Sequence, residues 1–97
     1  MATYMMLVLL TGQGVKNIKS SPTRVDTAKE IFRDMGAKVK EVYLLMGHYD
    51  VAFIVEAPNY ETVAKAALTL DSLGSMRTET LRAFTEDEYR KIIADIP

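Results

Sequence analysis

The 97 residues include no cysteine. Disulfides, thiol redox chemistry and cysteine-ligated zinc are thereby excluded, and a reducing compartment is compatible. Histidine occurs once, at His48, with no clustered carboxylates about it, so no metal is expected. Charge of one sign is also missing. Twelve Lys and Arg stand against 13 Asp and Glu, a formal net charge of -1. That balance offers no field for a phosphate backbone, and nucleic acid is not an expected partner. The lysines that do gather, Lys16 with Lys19 and Lys38 with Lys40, read as solvated surface.

Long hydrophobic runs are absent too. Met5–Leu10 is far too short to span a membrane and lacks the flanks of a secretory signal, so a soluble cytoplasmic protein is expected. No P-loop and no complete G-x-G-x-x-G occurs. Gly12-Gln13-Gly14 follows a strand, but the third glycine is missing. No cofactor is expected, and no Ser-His-Asp arrangement suggests itself. Repeats, low-complexity tracts and internal linkers are lacking, and the length suits one domain over residues 1–97.

What is present is a regular alternation of strands and helices. Tyr4–Thr11 is apolar at both parities, the pattern of a strand buried on two faces. Gln13-Gly14 breaks it, and a polar loop is expected. Ser20-Ser21-Pro22 starts a helix, Val25, Ala28, Ile31, Phe32 and Met35 recur at helical spacing, and Gly36 ends it. Lys38–Met46 is a second strand with charges at its start. Val51–Ala57 is a third, again apolar at both parities. Pro58-Asn59-Tyr60-Glu61 opens a second helix, with Tyr60, Val63, Ala64, Ala67 and Leu68 expected to be buried. Met76–Phe84 is a more polar fourth strand. Thr85-Glu86-Asp87-Glu88 is a capping box before a final helix, with Tyr89, Ile92 and Ile93 expected inward.

The order β-α-β-β-α-β-α contains the split β-α-β arrangement of ferredoxin-like folds. Right-handed crossovers predict a four-stranded antiparallel sheet in the order 4-1-3-2, an α+β fold with an extra C-terminal helix. The two central strands are then the two that are apolar on both sides. Two helices cover only one face of that sheet. The other face keeps one apolar parity set, and soluble monomers rarely expose patches beyond roughly 300–600 Å². Covering about 500 Å² at ~25 cal/mol per Å² is worth on the order of 12 kcal/mol, against association costs of roughly 4–15 kcal/mol. Two chains packed sheet to sheet are expected, a homodimer or a larger homo-oligomer. The last helix folding back is the alternative.

The same topology gathers polar residues at one rim. The end of the first strand (Thr11, Gln13, Gly14), the hairpin Gly47-His48-Tyr49-Asp50, the start of the fourth strand (Arg77, Thr78) and the first helix near Ser21 and Arg24 all meet there. Gly47 suits a backbone conformation that a Cβ would disfavour. Tyr49 either stacks with its hydroxyl satisfied or donates a proton. Asp50 either caps the turn by bonding nearby N–H groups or serves as base or anchor. His48 sits at the turn tip, where acid–base work would require burial beside Asp50. Arg77 binds an anion or pairs with a glutamate.

Three segments resemble one family. Gly47-His48-Tyr49-Asp50 continuing through Pro58, Thr11 to Lys19, and Gly74 to Phe84 are similar to the GYD-domain family, named for its Gly-x-Tyr-Asp run. The resemblance implies a dimeric α+β barrel and no assigned molecular function. It places weight on Gly47, Tyr49 and Asp50, and His48 occupies the variable slot. Related barrels include monooxygenases, isomerases, dehydratases and amino-acid-responsive regulators, so fold does not select a chemistry. Three functions follow as expectations. One is a homo-oligomer holding a small polar or anionic molecule with Gln13, Tyr49, Asp50, Arg77 and Thr78. Another is a cofactor-independent isomerase or monooxygenase-like enzyme, with Asp50 or His48 moving a proton and Tyr49 donating a hydrogen bond. The last is a structural or regulatory interaction module without a ligand.

Overall fold

Alternation along the strands builds the sheet. The computed structural model covers Met1–Pro97 and contains β1 (Ala2–Leu10), α1 (Gly12–Lys16), a 3₁₀ turn (Ile18–Ser20), α2 (Ser21–Asp34), β2 (Lys38–Leu44), β3 (Val51–Ala57), α3 (Tyr60–Ser72), β4 (Met76–Ala83) and α4 (Glu86–Ala94). The sheet order is β2-β3-β1-β4, with every neighbouring pair antiparallel. This is the expected order read from the other edge. The molecule is 17 Å across in its thinnest dimension, the depth of one sheet with helices on a single side.

Tyr4, Met6 and Val8 of β1 and Phe53, Val55 and Ala57 of β3 point to the helix side. There they meet Ala28 and Phe32 of α2 and Val63, Ala66 and Leu70 of α3 in one buried cluster. Fully burying each of the Val, Leu, Met and Phe side chains among them is worth about 1.5–3 kcal/mol, so this face anchors the fold. Gly36 closes α2 with φ 82, a left-handed conformation that glycine adopts without a Cβ penalty. Thr85 and Glu88 form the expected capping box at α4.

Three local expectations differ from the structure. The polar loop after β1 is a short helix, α1. Thr11 is its cap, accepting from the Gly14 N–H at 3.2 Å, and Thr11 is itself held by a hydroxyl bond to the Gly74 carbonyl at 2.7 Å. Two glycines in five residues hide that helix, because glycine disfavours helix by about 1 kcal/mol. The buried stripe of α3 is Val63, Ala66 and Leu70, while Tyr60 and Leu68 are exposed. Alanines at 64, 66 and 67 suit either of two adjacent faces. The start of α3 is fixed by Asn59, whose side chain accepts from the Thr62 N–H at 2.9 Å. Finally, Tyr89, Ile92 and Ile93 of α4 are not inward. Ile92 and Ile93 are 44% and 50% exposed. The last helix therefore does not fold back over the bare sheet face.

Candidate functional site at the rim and open face of the sheet

The β2–β3 connection is tied to the end of β1 by one residue. The Asp50 N–H donates to the Val8 carbonyl at 2.8 Å, the Asp50 carbonyl accepts from the Leu45 N–H at 2.8 Å, and Asp50 Oδ2 accepts from the Leu10 N–H at 2.9 Å. The regular β1–β3 ladder ends at the Val8–Val51 pair. Asp50 extends it with a side chain, satisfying an amide that no strand partner reaches. It bonds a β1 amide rather than the turn's own.

Glycine is required at a different point of the rim from the one expected. Gly47 has no positive φ, and a Cβ there would meet nothing within 4 Å. Its expected conformational need is therefore corrected: the connection is long enough to turn in ordinary backbone conformations. Gly14 is the constrained one. A Cβ on Gly14 would collide with the Ser75 carbonyl oxygen, because α1 packs directly against the strand that enters β4. That contact joins residues 61 apart, which no local pattern reveals.

Tyr49 reaches onto the face of the sheet that carries no helix. Its hydroxyl donates to Glu79 Oε2 of β4. Glu79 is paired with Leu7, and Leu7 with Ala52, so the bond runs beside the two central strands. The hydrogen bond to the Glu79 carboxylate, with partial desolvation and the carboxylate charge, raises the Tyr49 pKa above its usual value. Tyr43 of β2 makes the same kind of bond to Glu41, with the same direction of shift. His48 is exposed, and its ring lies edge-on to Tyr49 at 4.8 Å.

The remaining predicted residues are spread around the rim. Arg77 pairs with Leu9 and shares the open face with Glu79 and Tyr49. Thr78 faces the helix side, where its hydroxyl donates to Asp71 Oδ1 at 3.0 Å. Gln13 is exposed on α1 beside Gly74. Arg24 donates to the carbonyls of Asn17 at 2.9 Å and Gly14 at 3.1 Å, bracing the α1 segment rather than offering a free fork to an anion. The structure thus brings Tyr49 and Arg77 onto one face and places Asp50, Gln13 and Thr78 elsewhere. No three imidazole or carboxylate groups converge as metal ligands would.

Apolar side chains dominate the centre of the open face. Met5, Leu7 and Leu9 of β1, Ala52 and Ile54 of β3 and Leu81 of β4 occupy it by strand parity. Leu81 is 42% exposed. The Tyr49–Glu79 bond, Arg77 and Glu41 border this strip.

Residues 4–93 match the GYD domain. The chain belongs to the GYD domain family. It is 39% identical over 84 residues to a Thermus thermophilus protein named glutamine synthetase and cystathionine beta-lyase binding protein, covering 86% of this chain and 88% of that one. The crystal structure of a Thermus thermophilus protein superposes with TM-score 0.57 at 29% identity, over 88% of this chain and 95% of that one. The leucine response regulatory protein of Mycobacterium tuberculosis gives TM-score 0.62 at 13% identity, over 89% of this chain and 54% of that one. At that identity the likeness is one of fold alone.

Within this GYD domain the three named positions do unequal work. Asp50 ties the connection to β1, Tyr49 bonds across the open face, and Gly47 meets no steric demand from its own chain. No helix of the domain is long and apolar enough to cross a membrane.

Proposed function

We propose that this GYD domain is a protein-interaction module that acts as one unit over residues 1–97, self-associates through its open sheet face and, once assembled, holds a folded enzyme partner. The observation that carries this reading is the apolar strip of Met5, Leu7, Leu9, Ile54 and Leu81 on a sheet face that no helix covers. Water leaves such a strip at ~25 cal/mol per Å², and a second copy brings the same strip to the same place. The name of the 39% identical relative supports the partner class, since that protein is called a binding protein for two enzymes. The cysteine-free composition is compatible with action in the cytoplasm.

Sedimentation velocity tests the self-association. The wild-type chain is expected to sediment as a dimer or larger species at micromolar concentration, and Leu7→Glu to stay folded, lose the open-face contact and sediment as a smaller species than wild type. A wild-type monomer at that concentration ends the reading. Co-migration with glutamine synthetase of the same source on size exclusion tests the partner, and Leu7→Glu is expected to abolish it.

A second reading has one observation in its favour. Tyr49, Glu79 and Arg77 place a phenol, a carboxylate and a guanidinium together on the face that a second copy would enclose. A small polar or anionic ligand at that edge would bond Arg77 and Tyr49. Native mass spectrometry of the assembled protein, with and without Arg77→Ala, tests it by the mass of any retained molecule.

A further inference from the structure

We propose that α4 of one copy seats in the seam between α2 and β2 of a second copy, with its acidic first turn at the Lys29–Arg33–Lys38 end. The apolar side of the helix and the seam are both uncovered within the chain. Tyr89, Ile92, Ile93 and Ile96 lie exposed along and just beyond α4. The seam carries two depressions. The lower one, about 240 Å³, is bounded by Lys29, Arg33, Ala37, Lys38 and Val39. The upper one, about 520 Å³, is bounded chiefly by Ile18, Pro22, Val25, Val42 and Leu44. Lys29, Arg33 and Lys38 make no ion pair in their own chain.

Helix and seam match in sequence polarity and in length. The first turn of α4 is Glu86-Asp87-Glu88, in which Glu86 pairs with Arg90 and Glu88 with Arg82 while Asp87 has no cation of its own, and Tyr89, Ile92 and Ile93 follow. The seam is basic where β2 begins and mainly apolar, with Asp26 and Ser21 on its α2 wall, where β2 ends. A helix entering at Lys38 and running towards Leu44 therefore sets charge on opposite charge and isoleucine on apolar wall. Glu86 to Ile96, the helix and its closing turn, span about 15 Å at 1.5 Å per residue, and Lys38 to Leu44 spans about 20 Å of strand, a match to within one helical turn.

The chain's own α4 cannot make this contact. It follows β4 after only Phe84 and Thr85, a reach of about 7 Å. β2 lies at the other edge of the sheet, three strand spacings or about 14 Å away, and the seam is on the far side of that edge. A second copy has no such restriction. Its β4, laid antiparallel beside the free edge of β2, ends next to Lys38, where its α4 begins. The contact uses the helix-bearing side and the edges of the sheet, so it is read out separately from the open face.

The absence of cysteine makes disulfide trapping specific. Leu44→Cys and Ile96→Cys replace exposed residues and are expected to fold normally. When the two single variants are mixed and oxidised, a disulfide-linked dimer is expected, and neither variant alone should give one. The double variant is expected to link between chains. In the mixture, introducing Arg33→Glu into the Leu44→Cys chain should slow linkage about tenfold, and Asp87→Arg in the Ile96→Cys chain should restore most of the rate. The proposal is overturned by no linkage in the mixture, by linkage of Ile96→Cys to itself, by an intrachain disulfide in the double variant, or by a rate indifferent to both charge changes. If Ile93→Glu leaves the assembly the same size as wild type yet removes co-migration with an enzyme partner, α4 docks on that partner instead and the proposal also falls.

Discussion

Asp50 accepts the Leu10 N–H at 2.9 Å across 40 residues of sequence, and by doing so continues the β1–β3 ladder where the backbone of β3 has turned away. Asp50→Ala leaves that amide without its partner in a part-buried position, at a cost of about 1–3 kcal/mol. Asp50→Asn keeps an acceptor oxygen at the same place and should lose about 1 kcal/mol or less. Urea unfolding of the two variants checks the ordering. Equal midpoints for the two would mean that the carboxylate matters for something other than this bond.

Gly14 and Gly47 sit on the same rim and should respond oppositely to a methyl group. Gly14→Ala drives its Cβ into the Ser75 carbonyl, a backbone atom that cannot swing aside, and should destabilise by about 1–3 kcal/mol. Gly47→Ala adds its Cβ into open space at an ordinary φ and should change monomer stability by less than about 0.5 kcal/mol. Should Gly47→Ala instead weaken self-association while leaving unfolding unchanged, the glycine of the family's run serves an approaching surface rather than its own backbone.

Tyr49 gives the open face a pH signature. Its pKa is raised in the folded chain by the bond to Glu79. The associated stabilisation is complete below the unfolded tyrosine value of about 10 and is lost as pH rises through the higher folded value. Tyr43→Phe removes the other phenol bonded to a carboxylate, and its difference from Tyr43→Phe/Tyr49→Phe isolates the tyrosinate absorbance of Tyr49. In that background Glu79→Gln should bring the late-titrating phenol down towards the usual value. A late phase that persists in Glu79→Gln would assign the shift to burial rather than to the carboxylate.

Much of this fold was legible from parity alone. β1 and β3 are apolar on both sides in the sequence, and a strand with two apolar sides belongs at the centre of a sheet. Thr85 and Glu88 are three residues apart, so their reciprocal capping could be read locally. Strand direction put Thr11, Asp50 and Arg77 near one rim, but did not show that Asp50 and Thr78 turn away from the face that holds Tyr49 and Arg77. Contacts made across the chain were not legible. Glu79 is an ordinary polar residue on β4 until Tyr49, 30 positions earlier, is laid over the same face. Gly14 reads as a helix breaker until Ser75 is packed against it. The rotation of α3 was ambiguous because Ala64, Ala66 and Ala67 fit either face equally, and alanine burial discriminates weakly between them. α4 was read as inward because its periodicity is that of a buried stripe. Periodicity shows that a surface must be covered, but not by which chain.

α4 should be the most acid-sensitive element of the chain. Glu88 accepts from the Thr85 N–H at 2.9 Å, its own N–H is bonded to Thr85 Oγ1 at 3.2 Å, and Arg82 approaches its carboxylate at 3.9 Å. The bond from the Thr85 amide, reinforced by the Thr85 hydroxyl and the Arg82 charge, holds the Glu88 pKa below the usual glutamate range. The capping contribution is thus present above about pH 4.3 and is lost as pH falls through the lower folded value. Amide exchange is expected to accelerate in α4 across that acid window while the β1 and β3 amides stay protected, because no tertiary packing shelters α4 within one chain. Glu88→Gln keeps an acceptor for the Thr85 amide without a titrating group, so exchange in α4 should lose its dependence on pH over this range after correction for intrinsic rates. Thr85→Ala removes the other half of the box and should accelerate exchange in α4 at neutral pH as well. If exchange in α4 and in β1 rises together on acidification, the helix is not an independent unit, and its cap is not the group that titrates.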